Sequence, residues 1–318
     1  MGLFLLRRLG TFLATLAVAS VVVFAVLELL PGNAAQVILG ESATPESLAE
    51  MEARLGLDRP APERYAQWVG GWLRGETATS ISYGVPTSEL IAQRLEVTLP
   101  LALMAMLITV VVALVLGVYA AARHNRLGDV GVMTASQLGI AIPNFWFAIL
   151  LILLFAVQLQ WVNAGGFPGW HEDDGGGFWP ALQSLVLPAI ALAVVQAAIL
   201  ARVTRSAVLD VLREDFVRTA RAKGLTQRQA LTRHVLRTAR LPGLTVGGLQ
   251  FATLVTGTIV VESVFVLPGI GRLVFQAIAN RDLVVVRDVV MLLAAVVVLV
   301  NFVVDVLVAW VDPRVRAS

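Results

Sequence analysis

Six stretches of the chain are mostly apolar and nearly free of charge: Leu9–Leu30, Leu99–Ala122, Val132–Leu159, Leu182–Leu200, Leu241–Val266 and Val289–Val311. About 20 such residues in a helix cross a hydrocarbon core roughly 30 Å thick. The pattern therefore predicts six membrane-spanning helices, with both chain ends on one side. The first stretch follows Arg7 and Arg8 as a signal peptide would. Its length, and an end at Leu29-Leu30-Pro31 without a small-residue cleavage site, predict a retained helix instead.

Polar positions between the spans have patterns of their own. In Gly32–Thr98, Thr44-Pro45-Glu46 reads as an N-cap with Pro at the first helical position, and Gly56 as the stop. A second helix is predicted over Pro62–Leu73, where Tyr65, Trp68 and Trp72 share one face and should pack on membrane helices or lie among headgroups. The segment Gln160–Pro180 holds Trp161, Trp170, Trp179, the triplet Gly175–Gly177 and the run His171-Glu172-Asp173-Asp174. Adjacent residues on a Gly-rich loop converge poorly on one cation. No metal site is expected there, and a solvated acidic loop, or one touching a basic partner face, is.

Inside the spans polar residues are costly and mark candidate function. Pro143-Asn144 interrupts the third span, Pro188 and Gln196 mark the fourth, Glu262 closes the fifth, and Asn301 and Asp305 lie one turn apart on the sixth. Asn144, Gln196, Glu262, Asn301 and Asp305 are the candidates for a pathway lining or a polar bundle interior. Glu262 is expected to snorkel to water or pair with Arg272, and Asn301 and Asp305 to hydrogen-bond within the bundle or cap its inner end. Gly243, Gly247, Gly248 and Gly257 should let other helices approach the fifth span closely and place it near a pore axis.

Composition removes most alternatives. Charged residues are 14% of the 318 and apolar ones 58%, against about 25% charged in soluble domains, and mean hydropathy is +0.80. The chain has no cysteine, which excludes disulfides, thiolate nucleophiles and Cys-ligated metal centres. His124, His171 and His234 all fall in loops, so no catalytic constellation is expected. Sixteen of the 24 basic residues fall on the side of the termini and sixteen of the 22 acidic ones on the other. The two sides carry about +10 and −8, and the rule that Lys and Arg stay inside puts both termini in the cytoplasm.

Ten of the basic residues lie between Arg202 and Arg240. Val208, Leu209, Leu212, Phe216 and Val217 recur at helical spacing, which predicts that the fourth helix continues as an amphipathic extension up to Gly224. Gly224 suits a C′ position with positive φ, and Thr226-x-x-Gln229 matches a capping box that starts a second short helix, ending before Leu241-Pro242. A helix, a sharp Gly turn and a second helix make a docking element for another protein. The basic cluster also suits anionic lipid headgroups; nucleic acid is disfavoured, since Phe216 is the one aromatic residue there.

The string Asp215-Phe216-Val217-Arg218-Thr219-Ala220-Arg221-Ala222-Lys223-Gly224-Leu225, with Arg233-His234 and Leu241-Pro242, resembles the EAA-type coupling loop of bacterial ABC importer permeases. Further likeness lies in Leu6-Arg7-Arg8, Leu30-Pro31-Gly32, Leu55-Gly56-Leu57-Asp58-Arg59-Pro60, Ile142-Pro143-Asn144-Phe145-Trp146, Val261-Glu262-Ser263-Val264-Phe265, Pro268-Gly269-Ile270-Gly271-Arg272-Leu273 and Asp312-Pro313-Arg314. Together they resemble most the first permease subunit of oligopeptide, dipeptide and nickel importers. The chain departs from the generic motif where Arg218-Thr219-Ala220 replaces a leading Glu, and where Leu241-Pro242 lies farther from Gly224. Ala220 and Gly224 match the motif, and Arg221, Lys223 and Leu225 beside them are the expected contacts to an ATPase.

The resemblance implies an all-α integral membrane protein of the type I importer kind, with an extracytoplasmic helical insertion between the first two of six spans. Its expected parts are a cytoplasmic N-terminus (1–8), a first span (9–30), the extracytoplasmic segment (31–98), a core (99–312) with the coupling loop 202–241, and a cytoplasmic tail (313–318). The expected partners are a homologous second permease, two cytoplasmic ATPase subunits and an extracytoplasmic substrate-binding protein, in the bacterial inner membrane. The chain lacks the G-x-x-x-x-G-K-[ST] phosphate loop, so ATP and magnesium are expected on the ATPases and no cofactor here. Di- or oligopeptides are the expected substrate, with nickel or its chelate, glutathione-like peptides, sugars or opines as alternatives. A secondary transporter titrating Glu262 and Asp305 would predict an internal repeat, and none is evident.

Overall fold

The computed structural model describes residues 2–29, 34–40 and 43–311. Leu30-Pro31-Gly32, Asp312-Pro313-Arg314 and the tail from 313 lie outside the described residues.

The described chain is helical: α1 (Gly2–Leu29), α2 (Ala34–Leu39), α3 (Pro45–Leu55), α4 (Ala61–Arg74), α5 (Thr87–Ala122), α6 (Leu127–Ala141), α7 (Asn144–Leu151), α8 (Phe178–Leu212), α9 (Asp215–Ala222), α10 (Gln227–Ala230), α11 (Leu236–Val264), α12 (Ile270–Ala279) and α13 (Leu283–Val311). π-helical turns extend α7 over Ile152–Gln158 and join α10 to α11 over Leu231–Val235. Five helices are long and apolar enough to cross a membrane: Phe4–Leu29, Thr87–Ala122, Phe178–Leu212, Val246–Val264 and Leu283–Val311. The pair Leu127–Ala141 and Asn144–Gln158, bent by 101°, makes six when counted as one crossing. The bend follows from Pro143: the residue before a proline is pushed out of the helical region, and Ile142 sits at φ −83°, ψ 122°.

Two compact units divide the chain, one built mainly from Leu99–Leu267 with the end of α13 from Val300, the other from Leu6–Thr98 with Pro268–Leu299. In the second unit the local signals hold: Thr44 caps α3 reciprocally with Ser47, and Gly56 ends it at φ 68°. The aromatic face of α4 packs inward. Tyr65 Oη lies 2.7 Å from Ser20 Oγ, and the Phe24 ring lies 5.5 Å from Tyr65 and 6.1 Å from Trp68. Leu90, Ile91, Ile270, Leu273, Val285 and Val289 form the buried apolar centre of this unit.

Two buried carboxylates tie the same unit together. Asp288 accepts from Trp68 Nε1 at 2.7 Å, from Trp72 Nε1 at 3.2 Å and from the Thr87 hydroxyl, with the Arg287 guanidinium 4.8 Å over the Trp68 ring. Asp282 accepts from Ser80 Oγ at 2.6 Å and from the Ser82 N–H at 2.9 Å.

In the first unit α6, α7 and α11 all pack on α8. Small residues set the close approaches. A Cβ on Gly117 would lie 2.7 Å from the Ala201 carbonyl oxygen, and one on Gly248 would lie 2.0 Å from a Val304 methyl. Gly247 and Gly257 also face neighbours, whereas Gly243 faces none within 4 Å.

Candidate coupling segment

The connection from α8 to α11 differs from its expected form in two places. The fourth helix stops at Leu212, where the Arg213 and Glu214 N–H groups bond back to Asp210 and Val211 at 3.2 and 3.1 Å. A new helix starts at Asp215 because the acidic pair Glu214-Asp215 suits the positive end of a helix. The second correction is at Leu241-Pro242, which does not end the helix that starts after Thr226: the chain runs helically from Gln227 through Val264. A proline removes one N–H bond, a loss that packed membrane helices tolerate.

Between these two points the expected geometry is present. At the end of α9 the Leu225 N–H bonds the Ala220 carbonyl at 3.3 Å and the Gly224 N–H bonds the Arg221 carbonyl at 3.0 Å. This pair of bonds is a Schellman motif, whose C′ residue takes the left-handed conformation, and Gly224 has φ +95°. Thr226 Oγ1 then accepts from the Gln229 N–H, and the Gln229 side chain accepts from the Thr226 N–H, which starts α10. Ala220, Arg221, Lys223, Gly224 and Leu225 thus form one turn. Ala220 and Leu225 are half-buried; Arg221, Lys223 and Gly224 are exposed.

A small apolar core holds the turn. Val217 from α9, Ala230, Leu231 and Val235 from the next helix, Ala207 and Val208 from α8, and Ala121 from α5 are buried together. Opposite that core lie exposed Phe216, Arg218, Lys223 and Arg228. Asp215 and Arg218 pair at 3.3 Å with both side chains in solvent, an arrangement worth little. The surface is therefore rigid underneath and free to be read from outside.

The polar residues of the spans lie on four helices. Asn144 begins α7, and its amide nitrogen lies 3.9 Å from where a Gly257 Cβ would sit, as does Leu192 at 3.4 Å. Gln196, one turn beyond Leu192 on α8, is 4% exposed and its carbonyl oxygen has no hydrogen-bond partner among the described residues. Glu262 is fully buried, so it does not snorkel to water. Asn301 and Asp305 are half-buried on α13.

The acidic run Glu172–Asp174 forms a single 3-10 turn closed by Gly175 at φ 81°. The loop is ordered by the Gly177 N–H on the Gly169 carbonyl at 3.1 Å, and Gly176 lies where a Cβ would meet that oxygen at 2.2 Å. Among the described residues no group of three or more His, Asp or Glu is placed to hold a metal ion.

One cluster beside the segment escaped sequence reasoning. Asp129, on α6 and 3% exposed, is held by Arg205 of α8 through Nε at 2.6 Å and Nη2 at 2.7 Å. Arg205 passes for one of ten topological positive charges, and the signal that could have separated it is the lone carboxylate Asp129 among the inner loop's arginines.

Residues 113–317 match the protein family described as binding-protein-dependent transport system inner membrane component, and residues 1–102 match the N-terminal family of such components. The chain is 40% identical over 330 residues to the di/tripeptide transport system permease protein of Pseudomonas aeruginosa (strain UCBPP-PA14), with 98% of each covered. It is 35% identical over 335 residues to the dipeptide transport system permease protein of Escherichia coli (strain K12), again with 98% of each covered. Among solved structures, an inward-facing MetNI methionine ABC transporter superposes with TM-score 0.57 at 19% identity, over 70% of this chain and 96% of that one. That likeness concerns the fold.

Proposed function

The chain belongs to the family of binding-protein-dependent transport inner membrane components, as a multi-pass permease subunit of the peptide type in an ABC importer, and on that premise we propose that it forms half of a pathway for di- or oligopeptides. The other half is a homologous permease. An extracytoplasmic binding protein delivers the peptide, and two cytoplasmic ATPase subunits bind ATP and magnesium and dock on the segment around Gly224. The chain itself is non-catalytic and needs no cofactor. It lies in the inner membrane with both termini in the cytoplasm, in keeping with sixteen of 24 basic residues on that side.

The observation that carries the reading is the Schellman turn at Ala220–Leu225, a rigid, basic, outward-facing corner on an otherwise apolar molecule. Such a corner suits transmission of force between two states of a bundle. The names of the curated relatives support peptides as the cargo.

Since the chain has no cysteine, Arg221→Cys places a single thiol on the corner. In the assembled complex that thiol should cross-link to an ATPase subunit, and proteoliposomes should accumulate a labelled dipeptide when ATP is inside the ATPase-accessible compartment. Accumulation of a nickel chelate in place of the dipeptide would overturn the substrate, and absence of the cross-link would overturn the docking site.

A further inference from the structure

Asp129 is the third residue of α6, in the first turn where a carboxylate suits the positive end of the helix, and it is buried there with an arginine of another helix as its partner. Its Oδ1 accepts from Arg205 Nε at 2.6 Å and its Oδ2 from Arg205 Nη2 at 2.7 Å, the two-pronged geometry that fixes direction as well as distance. Oδ2 also accepts from the Asn125 backbone N–H at 2.9 Å, which holds Asn125 at φ +58°. Arg205 Nη2 lies 3.0 Å from His124 Nδ1. His124 Nδ1 also lies 3.3 Å from Asp129 Oδ2, so the imidazole stands against both members of the pair.

This cluster stands at one end of a long antiparallel contact. Beyond it, Arg202 bonds Gln137 at 3.3 Å, and Gly139 faces Ala198 and Val194. Small Gly139 and Ala198 meet in that contact, and shear of packed helices is a common mode of conformational change. The two-pronged ion pair is the charged directional element that opposes it. Arg205 precedes Ala207 and Val208, which belong to the apolar core under the Gly224 turn, and Ala121 of that core precedes the loop bearing His124 and Asn125. At its far end α6 leads through Pro143 into α7, whose Asn144 lies beside Gly257 on α11.

We propose that Asp129 and Arg205 are positioning residues of the transport cycle: the pair of the buried carboxylate with the half-buried guanidinium locks the start of the broken span to the helix that carries the coupling segment, so that a displacement at the Gly224 turn moves both helices as one body. The proposal rests on the coupling reading of that turn. Buried ion pairs add little net stability, and fixing register is their best-attested use. Loss of the pair should therefore show in the coupling of hydrolysis to transport more than in folding.

The test uses the complete complex in proteoliposomes and reads dipeptide accumulated per ATP hydrolysed, together with the Arg221→Cys cross-link. Asp129→Asn should keep the cross-link and basal hydrolysis while accumulation per ATP falls about fivefold or more, the low end of measured coupling between sites. Arg205→Lys keeps the charge but loses the fork, and should lower the ratio by a smaller factor; it decides the matter alone if Asp129→Asn does not assemble. A wild-type ratio in Arg205→Lys, or in an assembled Asp129→Asn, overturns the proposal. Absence of the cross-link in the otherwise wild-type complex overturns the coupling reading itself, and the proposal with it.

Discussion

Gly224 has φ +95° and nothing within 4 Å of where a Cβ would be, so its requirement is conformational and not a matter of space. A left-handed backbone costs an ordinary residue about 1–2 kcal/mol, and Asn bears it more easily than Val. In the assembled complex, Gly224→Val should therefore insert normally but lower both transport and substrate-stimulated ATP hydrolysis, whereas Gly224→Asn should keep most of each. Equal losses in the two would show that φ is not the reason. The end of α11 makes the same pair of bonds, from the Leu267 N–H to Glu262 and from the Val266 N–H to Ser263, with Val266 at φ +55°. A β-branched residue holds that conformation because its surroundings impose it, the Gly166 N–H on the Phe265 carbonyl at 2.8 Å among them. Asp288 shows how much a buried acceptor can support. Asp288→Ala strands the donors of Trp68, Trp72 and Thr87 and leaves Arg287 uncompensated, which should cost about 3 kcal/mol or more by thermal or denaturant unfolding in detergent. Asp288→Asn can keep both indoles on its carbonyl oxygen while Thr87 turns its hydroxyl to accept, so its cost should be about half as large.

Helices in this bundle meet wherever glycine removes a side chain, and the glycines are not equivalent. Gly117→Ala sets a methyl 2.7 Å from the Ala201 carbonyl oxygen, a backbone atom that cannot swing away, and should destabilise by about 2 kcal/mol or more. Gly243→Ala meets nothing within 4 Å and should gain up to about 1 kcal/mol of helix propensity. Unfolding of the two variants side by side tests the helix packing without reference to transport, and opposite signs are the expected result. Both glycines are the same letter in the sequence, and the expected close approach at Gly243 is not met. What the sequence did reveal was whatever is decided within a few residues: the caps at Thr44 and Thr226, the left-handed Gly56 and Gly224, the Pro143 break. The end of α8 at Leu212 was masked by apolar spacing that continues across Arg213-Glu214, although the acidic pair Glu214-Asp215 marks the new start, and the burial of Val217 with Ala230 and Val235 fixes the turned chain. The ties of Asp129 to Arg205 and of Asp288 to Trp68 join residues 76 and 220 positions apart, and no local pattern marks such partners.

At the scale of the molecule, the chain has apolar helices long enough for crossings and an exposed basic turn at Gly224, and its sequence holds no G-x-x-x-x-G-K-[ST] phosphate loop. A conformational equilibrium shifts only as far as a ligand binds its two states differently, so on the proposed function the free energy for work against a gradient comes from the ATPase subunits. The chain's surface agrees. On α5, Leu103, Leu107, Val111 and Val115 recur every four residues and are all more than half exposed, a stripe that water would not tolerate and that lipid or a second apolar subunit would. Sixteen basic residues on the side of the termini support the proposed orientation, with the Gly224 turn facing the cytoplasm. A single cysteine at Ser318 or Gly2 should consequently react with an impermeant maleimide only after spheroplasts are opened. Reconstituted alone, the chain should leave a labelled dipeptide equal on both sides of the vesicle wall, with or without ATP, whereas the complex with its second permease, ATPases and binding protein should concentrate it. Accumulation by the isolated chain would mean that the energy enters through its own titratable groups, Glu262 and Asp305 foremost, and that the corner at Gly224 drives nothing.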